Sequence, residues 1–164
     1  MRRADREIRD FAAIIAIMRR CKVCHVALGG GEYPYVVPMN FGLTVEDGVV
    51  TLFFHGAREG KKHARLAKDN RAAFVMEDTH GIAKGPEVGA CECTMEFESV
   101  MGEGRLSYVT EPAAKRAALQ TLLDQYGVRE GEGYHFNEQA AAATAVLALR
   151  VERLSAKFRQ VGQK

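Results

Sequence analysis

Between residues 22 and 77, short apolar segments rich in β-branched and aromatic residues follow one another with turns, not helices, between most of them. Residues 22–28 read as a strand, Gly29-Gly30-Gly31-Glu32 as a turn, 35–41 as a second strand, Glu46-Asp47-Gly48 as a hairpin turn and 49–55 as a third strand. Residues 72–77, 91–109 (with a break near Gly102 and Gly104) and 145–154 supply three more. A doubly wound parallel sheet needs a helix between most strands, and most of these lack one. The pattern predicts a mainly β, α+β chain: a six-stranded antiparallel barrel, Greek-key-like, with flanking helices.

Ile8, Phe11, Ile14, Ile15 and Met18 give 8–20 a helical period, and 61–68 reads as a short helix. Thr110 is placed to N-cap a third helix, with Pro112 in its first turn, Leu119, Leu122, Leu123 and Tyr126 as its stripe, and Gly127 at its end. Residues 79–90 read as a mobile loop and 128–139 as a polar segment; the alanines before 145 suit a helix as well as a strand. With 164 residues and no repeat, the chain predicts one domain over 1–155 and a tail over 156–164.

Composition excludes some classes. A hydrophobic content of 47% and a net charge of +2 describe a globular chain, not a disordered one. The longest apolar run, 140–149, falls short of the ~20 residues that span a bilayer, and the first residues lack a secretory pattern. A cytoplasmic location without a membrane partner is expected, with the four cysteines as thiols. Cys21-x-x-Cys24 and Cys91-x-Cys93 could together bind zinc, but the second pair lies on a strand; buried thiols and no metal are the preferred reading.

Charge is unevenly distributed. Arg58, Lys61, Lys62, Arg65, Lys68 and Arg71 stand against Glu59 and Asp69, whereas 77–111 is acidic. So short a basic cluster, without interleaved aromatics, suits a small anion and not a nucleic acid. Gly56-Ala57-Arg58-Glu59-Gly60-Lys61-Lys62 joins a strand to a helical pattern: two glycines free the turn and two lysines follow it. That reads as a phosphate clamp or as a solvated helix start. Pro38, inside an apolar strand, marks either an edge or a strand facing a flat ligand. Two apolar strands and a phosphate clamp match flavin mononucleotide (FMN) in size and chemistry.

At these residues the chain resembles the FMN-binding split β-barrel family of pyridoxamine 5′-phosphate oxidase, and within it the nitroimidazole-resistance (Nim-type) reductases. The likeness is carried by Arg2-Arg3-Ala4-Asp5-Arg6-Glu7-Ile8, Pro34-Tyr35-Val36-Val37-Pro38-Met39-Asn40-Phe41, Phe54-His55-Gly56-Ala57-x-x-Gly60-Lys61-Lys62 and Phe97-x-Ser99-Val100-x-Gly102-x-Gly104, in family order. The resemblance implies that Val37, Pro38, Met39 and Asn40 line the isoalloxazine, partly through backbone groups. It puts Phe54 and His55 beside the ring, turns Gly56 and Ala57 toward the phosphate, and has Lys61 and Lys62 bind it. Ser99 and Val100 would reach the flavin of the partner subunit in a homodimer with two interfacial sites.

The family activity is oxidoreduction, here of nitroimidazole-type or similar small aromatic substrates by hydride or two-electron transfer from reduced flavin. His55 is the candidate proton donor, or a strand histidine whose backbone faces the cofactor. His25 is the other ring to watch; His63, His80 and His135 are expected to be solvated. Tyr35 stands where the parent oxidase has a phosphate-binding arginine, and no Arg-rich C-terminal segment is recognisable over 150–164, so vitamin B6 oxidation is not expected. The alternative is a non-catalytic flavin or haem binder on the same barrel, with His25 or His55 as axial ligand.

Overall fold

The computed structural model describes residues 3–83, 93–128 and 135–159. Their main elements are β1 (Glu7–Ile8), α1 (Phe11–Arg20), β2 (Cys24–Leu28), β3 (Tyr35–Met39), β4 (Gly42–Glu46), β5 (Val49–Gly56), α2 (Lys61–Leu66), β6 (Arg71–Ala83), β7 (Thr94–Tyr108), α3 (Pro112–Gln125), α4 (Glu138–Ala143) and β8 (Ala145–Arg159). Every strand pairing is antiparallel. The described sheet has eight strands in the order β3-β2-β6-β7-β8-β5-β4, with β1 on β8.

The mainly β architecture with flanking helices is as expected, but there are eight strands, not six. The extra pair is β1 and β4, each too close to a neighbouring element to stand out in the sequence pattern. Ile8 pairs with Ala156 instead of opening a helix. Asp10 N-caps α1, its carboxylate accepting from the Ala13 amide at 3.1 Å. The edge strands β3 and β4 are not paired with each other, yet only Asn40 and Phe41 separate them. Three Cα steps of 3.8 Å keep Met39 and Gly42 within about 11 Å. The sheet must therefore curl until its two edges meet at that corner.

The corner is pinned by Tyr126, which follows α3. Its hydroxyl donates to the Lys22 carbonyl at 2.9 Å and accepts from the Phe41 amide and the Asn40 side chain, each at 3.1 Å. Gly42 lets the α3 backbone approach closely, since a Cβ there would lie 2.6 Å from the Leu122 nitrogen. The core fills the inside of the curl: Val26, Leu52, Phe54, Met76, Val100 and Leu149 from the sheet and Phe41 from the corner, with Ile14, Ile17 and Met18 from α1.

Several boundaries move. β6 continues to Ala83, so 79–83 is strand, not loop. β7 runs unbroken through Gly102 and Gly104, where side chains would collide with the Phe74 ring and the Arg150 carbonyl. Glu111, not Thr110, caps α3, accepting from the Ala113 and Ala114 amides. Ala118 and Leu122 are its buried residues. Gly127, at φ 73°, ends it as expected. β8 runs to Arg159, which puts 156–159 in the sheet and not in a tail. The alanine run forms α4, capped by Asn137.

Candidate functional site

The turn between β5 and α2 gathers the predicted anion ligands. Along β5 the alternation buries Val50, Leu52 and Phe54 and leaves His55 exposed. Phe54 is wholly in the core, so only its backbone can meet a ligand. After Gly56 the chain turns through Gly60, at φ 122°, into α2. No side chain caps this six-residue helix, so attraction for an anion rests on the lysine charges.

Three consecutive residues of α2 then hold three different elements. The Lys61 ammonium lies over the Tyr35 ring of β3, 5.1 Å from its centroid. The Lys62 amine lies against Gly56, in the place a Cβ would fill. His63 bonds the Ala57 carbonyl and the Tyr108 hydroxyl of β7, each at 2.7 Å. Among the described residues neither lysine pairs with a carboxylate. A charge left free beside a glycine cradle fits a phosphate monoester. Tyr35 thus offers a π face to the Lys61 ammonium.

The second predicted segment divides by face. Tyr35, Val37 and Met39 lean on the core, while Val36 and Pro38 point out. β3 is an edge strand, which accounts for a proline there. The Asn40 side chain is engaged at the corner by Tyr126 and the Lys22 carbonyl. Val100 is in the core; Ser99 is 6% exposed, and its hydroxyl has no hydrogen-bond partner among the described residues.

An outward groove of about 710 Å³ was not visible in the sequence. Two cross-strand rows floor it. One runs His25–Val75–Met101–Ser155 across β2, β6, β7 and β8; the other runs Val36–Ala27–Ala73–Glu103–Arg153 from β3 to β8. The alternation of buried and outward residues along β2, β6 and β7 is the signal that could have found it. Val36 is 58% exposed and Met101 37%. The groove and the lysine turn are separate: the lining residues include neither Lys61 nor Lys62.

Two of the histidines expected to be solvated are engaged. His63 is held as above, and His80 lies 3.2 Å from the Glu98 carboxylate. Asp78, His80 and Glu98 could face a common cation, but Arg20 already bonds both carboxylates. His25 sits in the groove, its Nδ1 3.8 Å from Glu77. Cys21 and Cys24 are buried; burial lifts the Cys21 thiol to about 11 and pushes Cys24 up further. Cys93 is exposed, and Cys91 lies outside the described residues.

Residues 10–158 match the family model described as pyridoxamine 5′-phosphate oxidase. No curated protein matches the chain. Among solved structures, the chain is similar to one from Bacteroides thetaiotaomicron proposed to be a 5-nitroimidazole antibiotic resistance protein. The two share 27% identity over 93% of this chain and 86% of that one, with a TM-score of 0.75. The flavocytochrome Anf3 of Azotobacter vinelandii (23% identity, 98% and 72% covered, TM-score 0.80) has the same fold. So does the FAD and haem binding protein of Mycobacterium smegmatis (23% identity, 97% and 76% covered, TM-score 0.81). With the family model spanning sheet, lysine turn and groove alike, the chain belongs to the pyridoxamine 5′-phosphate oxidase family.

Proposed function

We propose that the protein is an FMN-dependent oxidoreductase of the cytoplasm that reduces nitroimidazole-type or similar small aromatic substrates. The observation that carries this reading is the pair of lysines, without a carboxylate partner among the described residues, that opens α2 directly after the β5–α2 turn. Lys61 and Lys62 bind the phosphate, with the Gly56 and Ala57 backbone beside it. The flavin ring, when bound, supplies the electron chemistry. Val37, Pro38, Met39 and Asn40 border the ring chiefly through backbone, as does Phe54. His55, exposed at the end of β5, can hand a proton from solvent to a reduced substrate.

The site is open in a single chain, which favours a homodimer that completes it. The apolar groove, with exposed Val36 and Met101, gives a partner a surface to cover. The unpartnered Ser99 hydroxyl lies one row from Met101 on β7, where a partner's flavin would be met, with Val100 behind it.

A second reading keeps the barrel as a non-catalytic flavin or haem binder. It is favoured by the names of two structural relatives, a flavocytochrome and a FAD and haem binding protein. His25 in the groove, or His55, would then be the haem ligand.

Titrating the apoprotein with FMN and with riboflavin tests the clamp. FMN should bind more tightly, and Lys61→Ala with Lys62→Ala should abolish the difference, about 100-fold for two charge-assisted contacts. Full FMN retention by the double variant would overturn the assignment. Anaerobic reoxidation of the reduced protein by a nitroimidazole supports the reductase; its absence, or a Soret band on haem addition, favours the binder.

A further inference from the structure

His63 follows the two lysines on α2 and has no role in the reading above. Its Nε2 lies 2.7 Å from the Ala57 carbonyl oxygen and its Nδ1 2.7 Å from the Tyr108 hydroxyl. The two rings are nearly parallel, 8° apart, with centroids separated by 5.7 Å. A carbonyl oxygen only accepts, so Nε2 carries a proton. In the neutral ring Nδ1 then accepts, and the hydrogen between the two side chains comes from Tyr108. The result is a directed chain: Tyr108 O–H to Nδ1, then Nε2–H to the Ala57 carbonyl. The turn selects the tautomer through its carbonyl, and the Tyr108 hydroxyl on the strand completes it.

The bonded carbonyl belongs to the turn that leads into the two lysines. Lys62 rests on Gly56, and His63 holds the next residue, Ala57. A carbonyl carries negative charge, and one free to swing toward a phosphate would repel it. On its other side the turn is tied by the Arg58 guanidinium, which donates to the Ala142 carbonyl, while Gly60 is at positive φ and α2 has no side-chain cap. Resting on the phosphate-clamp reading above, we propose that His63, in the Nε2–H tautomer set by the Ala57 carbonyl and matched by the Tyr108 hydroxyl, is a positioning residue. It locks the Ala57 carbonyl onto the imidazole and so sets the preference of the site for a phosphorylated over an unphosphorylated flavin.

The test compares FMN and riboflavin binding to the apoprotein, by quenching of flavin fluorescence, for wild type, His63→Leu, His63→Gln and Tyr108→Phe. His63→Leu should lower FMN affinity about tenfold, the equivalent of one hydrogen bond, and leave riboflavin affinity unchanged. His63→Gln, which keeps a donor for the Ala57 carbonyl, should recover most of the loss. Tyr108→Phe removes one exposed hydroxyl and keeps the ring, so it tests the same point in a fold certain to be less disturbed. An equal loss for both flavins, or an unchanged ratio, overturns the positioning role. A wild type without any preference for FMN overturns the clamp reading, and this role with it. A preference as large in His63→Leu as in wild type overturns the role alone. Nitrogen NMR of the labelled imidazole in the apoprotein gives an independent readout: a proton on Nε2 is expected, and a proton on Nδ1 alone refutes the chain.

Discussion

Replacing Tyr126 with phenylalanine removes one oxygen atom and three hydrogen bonds: to the Lys22 carbonyl, from the Phe41 amide and from the Asn40 side chain. Lys22 and Asn40 are exposed, so water can replace the hydroxyl there. The Phe41 amide has less recourse, because that residue is fully buried. A buried donor left unpaired costs about 1–3 kcal/mol, and the two wetter bonds add a fraction of the ordinary net of about 1 kcal/mol each. The sum is about 2–3 kcal/mol. In a chain of this length each kcal/mol moves the melting temperature by about 2–4 °C, so a fall of about 5–10 °C is expected. Urea unfolding should show a lower midpoint at an unchanged slope. Samples must be matched in concentration, since an oligomer's stability depends on it. Tyr33→Phe, at a residue 72% exposed, is the control. A loss below about 0.5 kcal/mol for Tyr126→Phe would refute the claim that this hydroxyl holds the corner between the sheet edges.

Gly102→Ala should destabilise by about 1–3 kcal/mol in urea unfolding, because its Cβ collides with the Phe74 ring and comes within 3.0 Å of the Arg153 carbonyl. Thiol labelling at pH 8, mapped by mass spectrometry, should modify Cys93 in the folded protein and reach Cys21 and Cys24 only on unfolding, since burial raises both buried thiols. Asp69 is held down to about 2 by its hydrogen bonds from Arg71. Its folded value is below its unfolded one, so its contribution is full above about pH 4 and fades as pH falls toward 2. The urea midpoint of Asp69→Asn should accordingly lie below wild type at pH 7, and the gap should close on acidification.

The period-2 segments announced the sheet, and the Gly–Lys turn announced where charge would gather. Both were legible because each depends on neighbours in sequence. What the pattern could not show depends on distant partners. Ile8 fits a helical stripe by spacing, but Ala156 offers it a ladder. Gly102 and Gly104 look like a break, yet they are gaps made for Phe74 and Arg150. His63 sits among polar residues, and only the fold brings Tyr108 and Ala57 to its two nitrogens. The groove depends on the register of five strands, which no local window contains.

The two-residue passage from β3 to β4 bears on how the sheet avoids growing edge to edge with other chains. A bare sheet margin templates growth by foreign chains, and a ribbon of this width would ordinarily expose two of them. Here both margins come to one corner. On one of them Pro38 leaves out an amide that an incoming chain would need. Against the other lies α3, whose backbone crowds Gly42. A valine in place of Pro38 would restore the missing donor and, with it, a seed for fibrils.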